Sequence, residues 1–245
     1  MAVSFVVPAR NEERYIRDCV DSLRGQDACF SCEIVVVDNG STDATAAVAS
    51  EFGARVVREP KVGLANARLA GLAAATGEIL IYVDADTRLP EMWSREVVGL
   101  FDADPHLVAV SCGFTFYDGR RLDNIGNAVF RFLINRILSH VLRKAGRPGV
   151  LIGSAFAVRA GALRNVNGFN AAFQFYGEDT SLARELHALG DVRFVESLLV
   201  QTSARRYQQQ GLLRVVYKYF VIFALIQLGM LDAAAKLARR LYDAG

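Results

Sequence analysis

Histidine is scarce in this chain, with three in 245 residues, and His106, His140 and His187 form no cluster that would hold a metal. Cysteine is nearly as rare. The four present (Cys19, Cys29, Cys32 and Cys112) suit a reducing compartment rather than a disulfide scaffold. Cys29 and Cys32 have a CxxC spacing, but no second pair or nearby histidine accompanies them. They read as two ordinary small side chains, not as a redox or zinc motif. No run reaches the roughly 18 uncharged apolar residues of a membrane span; "VVYKYFVIFALIQLGML", at 215–231, is broken by Lys218 and Gln227. The N-terminus has no basic segment before its short apolar stretch, so it reads as a strand rather than a signal peptide, and cytosol is the expected compartment. There is no GxxxxGK[ST], and no GxGxxG follows the first strand, which speaks against an ATPase or a nicotinamide dehydrogenase.

One further absence is local. No acid occurs from Asn124 to Gly177, a stretch that carries Arg131, Arg136, Arg143, Lys144, Arg147, Arg159 and Arg164. From Ser197 to Leu231 only Arg205, Arg206, Arg214 and Lys218 are charged. The net charge is just +2, so the asymmetry points to anionic partners of the second half, either phosphates or an acidic membrane face. No nucleic-acid partner is expected.

What is present is apolar: 52% of residues, with a mean hydropathy of +0.22. That suffices for one large α/β domain. "VSFVVPA", "EIVVVD", "ARVVRE" and "EILIYVD" read as strands, with helical patterns between them. Asn11 is placed to cap the first helix, Gly53 and Gly77 to end the second and third, and Pro90 to open the fourth. Strands this uniformly apolar are covered on both faces, which predicts a mostly parallel central sheet flanked by helices. "LVAVSCGFTF", "VLIGSAFAV" and "DVRFVESLLV" add strands, a helix spans about 122–144, and two amphipathic helices end the chain. Residues 1–200 are expected to form the domain, and 201–245 a helical extension.

Ligands of open α/β sheets bind outside the carboxyl ends of the strands. Here three strands end in polar groups: Pro8-Ala9-Arg10-Asn11-Glu12, Asp38-Asn39-Gly40-Ser41 and Asp84-Ala85-Asp86. "DNGS" alone suits a turn, and strand-end aspartates alone suit helix caps; parallel topology is what would bring all three to one edge. Residues i and i+2 of a strand share a face with Cα atoms about 6–7 Å apart. Asp84 and Asp86 can therefore divide their labour, one on a hard cation and the other on a ligand hydroxyl. Mg²⁺ or Mn²⁺ favours a few carboxylates plus phosphate oxygens and water, so the expected occupant is a metal-bound diphosphate carrying a sugar or ribose. Glu178-Asp179 is the remaining acidic signal, and it also suits the start of a helix.

Five segments in order, "VVPARNEE", "EIVVVDNGSTDAT", "VGLANARLAG…ATGEILIYVDADT", "GSAFAVRAGAL…NGF" and "GEDTSLARELHALG", make residues 3–200 resemble the family 2 inverting glycosyltransferases of the GT-A fold. The resemblance implies that Pro8, Ala9, Arg10 and Glu12 lie along a donor nucleotide (a UDP- or GDP-sugar) and that Asp38 pairs with its base. It implies that Arg68 reaches the base or phosphates, that Asp84 contacts the ribose with Ala85 also against the donor, and that Asp86, with Asp84, holds Mn²⁺ or Mg²⁺. Asp179 matches the general base, supported by Glu178. The chain departs from the family's pattern at Leu69, where many members carry asparagine. It has no QxxRW motif, which argues against a processive polymerase. "TSARRY" stands where many relatives place a histidine, so Arg205 or Arg206 is expected on the diphosphate.

The expected reaction is metal-dependent transfer with inversion to a saccharide or lipid-linked hydroxyl, as in cell-wall or polysaccharide assembly. Two other readings stand beside it. One is a polyprenyl-phosphate glycosyltransferase, peripheral on the inner membrane face, whose amphipathic helices rest on anionic lipid. Covering their own core or a homodimer interface is the simpler use of those helices. The other is a non-catalytic subunit that binds sugar nucleotides. Trp93 is expected to pack rather than to stack on sugar.

Overall fold

The computed structural model describes residues 1–26, 32–133, 142, 144, 146–147, 149–166, 168–173 and 176–243. Cys29, Arg136, His140 and Arg143, and most of the predicted helix beyond residue 133, lie outside the described residues.

Eight strands form one sheet: β1 (Val3–Ala9), β2 (Cys32–Asp38), β3 (Arg55–Arg58), β4 (Ile79–Val83), β5 (Thr87–Arg88), β6 (Leu107–Phe116), β7 (Ala155–Arg159) and β8 (Asp191–Thr202), in the order β3-β2-β1-β4-β7-β6-β8-β5. The β1, β2, β3 and β4 ladders are parallel, as is β6 with β8, whereas β7 runs antiparallel to β4 and β6, and β5 to β8. Apolar side chains alternate between the faces. Phe5, Val7, Val36, Ile79 and Ile81 pack with α1 (Ile16–Arg24), α2 (Thr45–Glu51) and α4 (Trp93–Ala103). Val6, Val35, Val37, Leu80 and Tyr82 pack with α3 (Leu64–Ala74), α6 (Ala160–Asn165) and α7 (Glu178–His187). Trp93, only 2% exposed, belongs to the first cluster. Alternation of this kind is possible only when helices shield both faces, which is why the strand sequences carry so little polarity.

The chain also contains α5 (Arg121–Leu133), α8 (Arg205–Gln210), α9 (Leu212–Gln227) and α10 (Leu231–Asp243). The helices α9 and α10 share a small core in which Ile222, Ile226, Ala234 and Ala238 meet Phe173 and Tyr176. They thereby cover the segment that leads into α7. Gly177 caps α7 at φ +85°, and a Cβ there would lie 2.5 Å from Ile222 Cγ2; glycine answers both the backbone and the close approach. Among the described residues no helix is long and apolar enough to cross a membrane.

Several local expectations are corrected. Asn11 does not cap α1, which begins at Ile16. Asn11 instead adopts φ +56°, and its Oδ1 accepts the Thr42 N–H at 2.9 Å, tying the loop after β1 to the loop after β2. Asparagine tolerates that left-handed region through such side-chain bonds. Likewise α3 ends at Ala74 rather than at Gly77. Gly77 is needed for close approach, since a Cβ would sit 2.6 Å from the Ser4 nitrogen of β1. Cys32 is disulfide-bonded, against the expectation of an ordinary side chain, while Cys19 and Cys112 are free and buried.

Candidate active site

In the β1–β2 ladder Ala9 pairs with Asp38, and in the β1–β4 ladder Val6 pairs with Tyr82. This register sets the three polar strand ends side by side. However, Asp84 and Asp86 do not lie on the strand: β4 stops at Val83, and the Thr87 N–H donates to the Asp84 carbonyl at 2.9 Å, closing a turn. The i, i+2 strand geometry predicted for the pair is replaced by this turn. It still aims both carboxylates into the same cleft.

Two cavities meet there. The smaller, about 380 Å³, is lined by Pro8, Ala9, Arg10, Glu12, Asn39 and Gly63 among others. The larger, about 420 Å³, is lined by Arg68, Glu178, Asp179 and a set of apolar side chains. Asp84, Asp86, Arg205 and Arg206 line both. Ala85 lines the smaller cavity while belonging to the core at 4% exposure. Asp38 lines neither. Its Oδ1 accepts the Ser41 N–H at 3.0 Å and stabilises the turn after β2, whereas the next residue, Asn39, faces the smaller cavity. Asn39 accepts the Gly63 N–H at 2.7 Å and donates to the Glu59 and Lys61 carbonyls, which anchors the loop before α3.

Antiparallel β7 carries Gly153-Ser154 to the floor, where the Asp84 N–H donates to the Ser154 carbonyl at 3.0 Å. Arg68, 1% exposed, organises this region. It pairs with Glu178, donates Nη2 to the Gly153 carbonyl at 3.0 Å, and stands 3.4 Å from Asp84 Oδ1. Its guanidinium lies over the rings of Phe156 and Phe169, at 5.3 and 5.7 Å. Its charge is met by Glu178, at the start of α7, and by Asp84, in the turn after β4.

The β5–β8 pairing delivers the last residues of the cleft. Thr87 faces Thr202, whose Oγ1 lies 3.4 Å from Asp86 Oδ1. The chain then enters α8, where Arg205 Nη2 bonds Glu12 Oε1 at 2.5 Å and Asp86 Oδ2 at 3.0 Å. Arg205 also covers the Tyr15 ring at 4.6 Å. Arg206 reaches the Tyr219 hydroxyl at 3.3 Å. Asp179 Oδ1 accepts the Thr180 N–H at 2.7 Å.

Burial raises the proton affinity of these acids. Asp84 is pushed up to about 6 and Glu178 to about 7, in each case by burial against the opposing pull of Arg68, with a neighbouring carboxylate adding to the rise. Asp179 and Glu12 are also raised by burial, opposed by Arg68 and Arg205 respectively. Within the cleft, five carboxylates (Glu12, Asp84, Asp86, Glu178 and Asp179) face three guanidiniums (Arg68, Arg205 and Arg206), with Arg10 exposed at the rim. Glu12 Oε2 is buried without a hydrogen-bond partner. All the acidic donors are hard oxygens. Among the described residues no group of three or more His, Cys, Asp or Glu side chains forms a cage, so an ion held here would draw part of its shell from a ligand.

A mixed sheet with a carboxylate-lined cleft at its strand ends is the GT-A arrangement. Solved glycosyltransferases share the fold. Glucosyl-3-phosphoglycerate synthase of Mycobacterium tuberculosis, in complex with Mn²⁺, UDP and phosphoglyceric acid, superposes with a TM-score of 0.66 at 23% identity, over 93% of this chain and 78% of that one. The mannosyltransferase PcManGT of Pyrobaculum calidifontis, in complex with GDP-Man and Mn²⁺, gives 0.66 at 23% identity over 99% and 74%. In sequence, the same synthase of M. tuberculosis is 40% identical over 92 residues, 34% of this chain and 28% of the relative. The model of glycosyl transferase family 2 matches residues 4–167, and the chain belongs to that family. Its alignments with the curated relatives span 13% to 48% of their lengths.

Proposed function

We propose that the protein transfers a sugar, with inversion and one residue at a time, from a nucleoside diphosphate donor to an acceptor hydroxyl. The observation that carries this reading is that Asp84, Asp86, Arg205 and Arg206 sit at the seam of two cavities. A donor in the smaller cavity would place its diphosphate at that seam, and an acceptor in the larger one would face it beside Asp179. Pro8 to Glu12 and Asn39 would hold the nucleoside, with Asp38 shaping the turn behind them.

The residues fit a divalent cation. Asp86 and Asp84 would hold Mn²⁺ or Mg²⁺, and the excess of carboxylates over guanidiniums supplies the charge to retain it. When bound, such an ion neutralises charge on a departing diphosphate. The chain's own groups do the rest. Arg205 and Arg206 attract the diphosphate. Asp179 accepts the proton of the incoming hydroxyl. Arg68 and Glu178 hold the start of α7, and hence Asp179, in place.

The test is a thermal-shift panel of UDP, GDP, dTDP and their sugars, with and without Mn²⁺ or Mg²⁺. One nucleotide class should raise Tm by several degrees, more strongly with metal, because ligands that bind only the folded state stabilise it. No shift with any of them would sink the reading.

A further inference from the structure

Beyond its carboxylate floor the larger cavity is walled by Phe114, Val129, Ile152, Val216, Phe220 and Phe223. A free saccharide would press hydroxyl groups against these walls without partners, at a cost of about 1–3 kcal/mol for each unmatched group. A hydrocarbon chain matches them. The wall also opens outward, since Val129 is 55% exposed and Phe220 68%. Both belong to apolar stripes on the surface. On α5, Leu122, Ile125, Val129 and Phe132 recur at helical spacing and are all more than half exposed; on α9, Tyr217 precedes Phe220 by three residues and is 65% exposed. Contiguous exposed apolar side chains of this kind mark a site of interaction. Their flanks carry exposed Arg121 and Arg214, which suits the acidic head groups among which lipids are presented.

We infer that the cavity takes the hydrocarbon chain of an amphiphilic acceptor, entering between α5 and α9 with its polar head against the Asp84–Asp179 floor. The role of the head group rests on the glycosyltransferase reading; the binding of the chain does not. The head is a sugar or a phosphate, and the two are separable by experiment.

Isothermal titration of the intact protein with butyl, hexyl and octyl β-D-glucosides, and with the matching alkyl phosphates, all below their micelle concentrations, tests the assignment. Each buried methylene should tighten binding about two- to fourfold. The better-bound series identifies the head. Phe220→Asp and Val129→Asp should flatten the dependence on chain length. Affinity that does not change with length in the wild-type protein would overturn the inference. So would a wild-type slope in variants that keep nucleotide-induced stabilisation. Because the titration needs no turnover, a flat series removes the lipid chain and leaves the donor reading standing, whereas a blank nucleotide panel does the reverse.

Discussion

Arg205 Nη2 stands 3.0 Å from Asp86 Oδ2, although β6, β7 and β8 separate the two residues in the chain. The same nitrogen reaches Glu12, so one guanidinium lies where carboxylates from the first and fourth strand ends converge. A diphosphate arriving with its cation would compete for the same charges. Arg205→Ala should therefore weaken UDP binding about 10- to 100-fold, the loss expected for hydrogen bonds to a charged ligand. It should also let Mn²⁺ bind measurably without nucleotide, because Glu12 and Asp86 lose their resident cation. Calorimetry and electron paramagnetic resonance read the two effects. Unchanged UDP affinity would remove Arg205 from the diphosphate site.

Asp86→Asn keeps the size of the side chain and removes its charge. The increment that Mn²⁺ adds to UDP affinity should shrink at least tenfold, with little change in UDP binding under EDTA. An undiminished increment would place the ion elsewhere.

Asp179→Asn should lower turnover about 10²–10⁴-fold, the usual contribution of a positioned acid–base group. Donor affinity should change little, since Asp179 lines the larger cavity and not the smaller one. Turnover near that of the wild type would assign proton removal to another group.

Arg68 and Glu178 are each 1% exposed at the side chain. Removing one partner leaves a buried charge, so Arg68→Leu or Glu178→Leu should each cost about 3–5 kcal/mol in urea unfolding. The double variant should recover much of that loss. Strictly additive losses would argue against a coupled pair.

The pH dependence of stability has a definite sign. Glu178 titrates at about 7 in the fold, against 4.5 for an ordinary glutamate. Between those values the native state holds a proton that the unfolded chain has released, so stability from this group falls as pH rises from about 4.5 to about 7. Urea midpoints should decline across that window in the wild type and decline less in Glu178→Gln. Equal slopes would assign the effect to other carboxylates.

Much of this molecule is legible from residue order alone. Uninterrupted apolar runs such as "EIVVVD" can be satisfied only by a sheet shielded on both faces, and that topology places Pro8–Glu12, Asp38–Ser41 and Asp84–Asp86 at one edge. Helix α1 obeys the same logic, burying Ile16, Cys19, Val20 and Leu23, which recur at helical spacing. These are short-range consequences of periodicity and of the backbone's need for hydrogen bonds. What a carboxylate or guanidinium does once it arrives depends on partners distant in the chain. Asp38 turned to the Ser41 amide, and Arg68 was enclosed by Glu178, Asp84 and two aromatic rings. Arg205 met Glu12 and Asp86 because β8 pairs with β5. Tyr219, Val216, Phe220 and Phe223 reached the cleft through the packing of α9 on the segment before α7. Charge and burial are properties of three-dimensional neighbourhoods, and no local pattern encodes which neighbour a side chain will find.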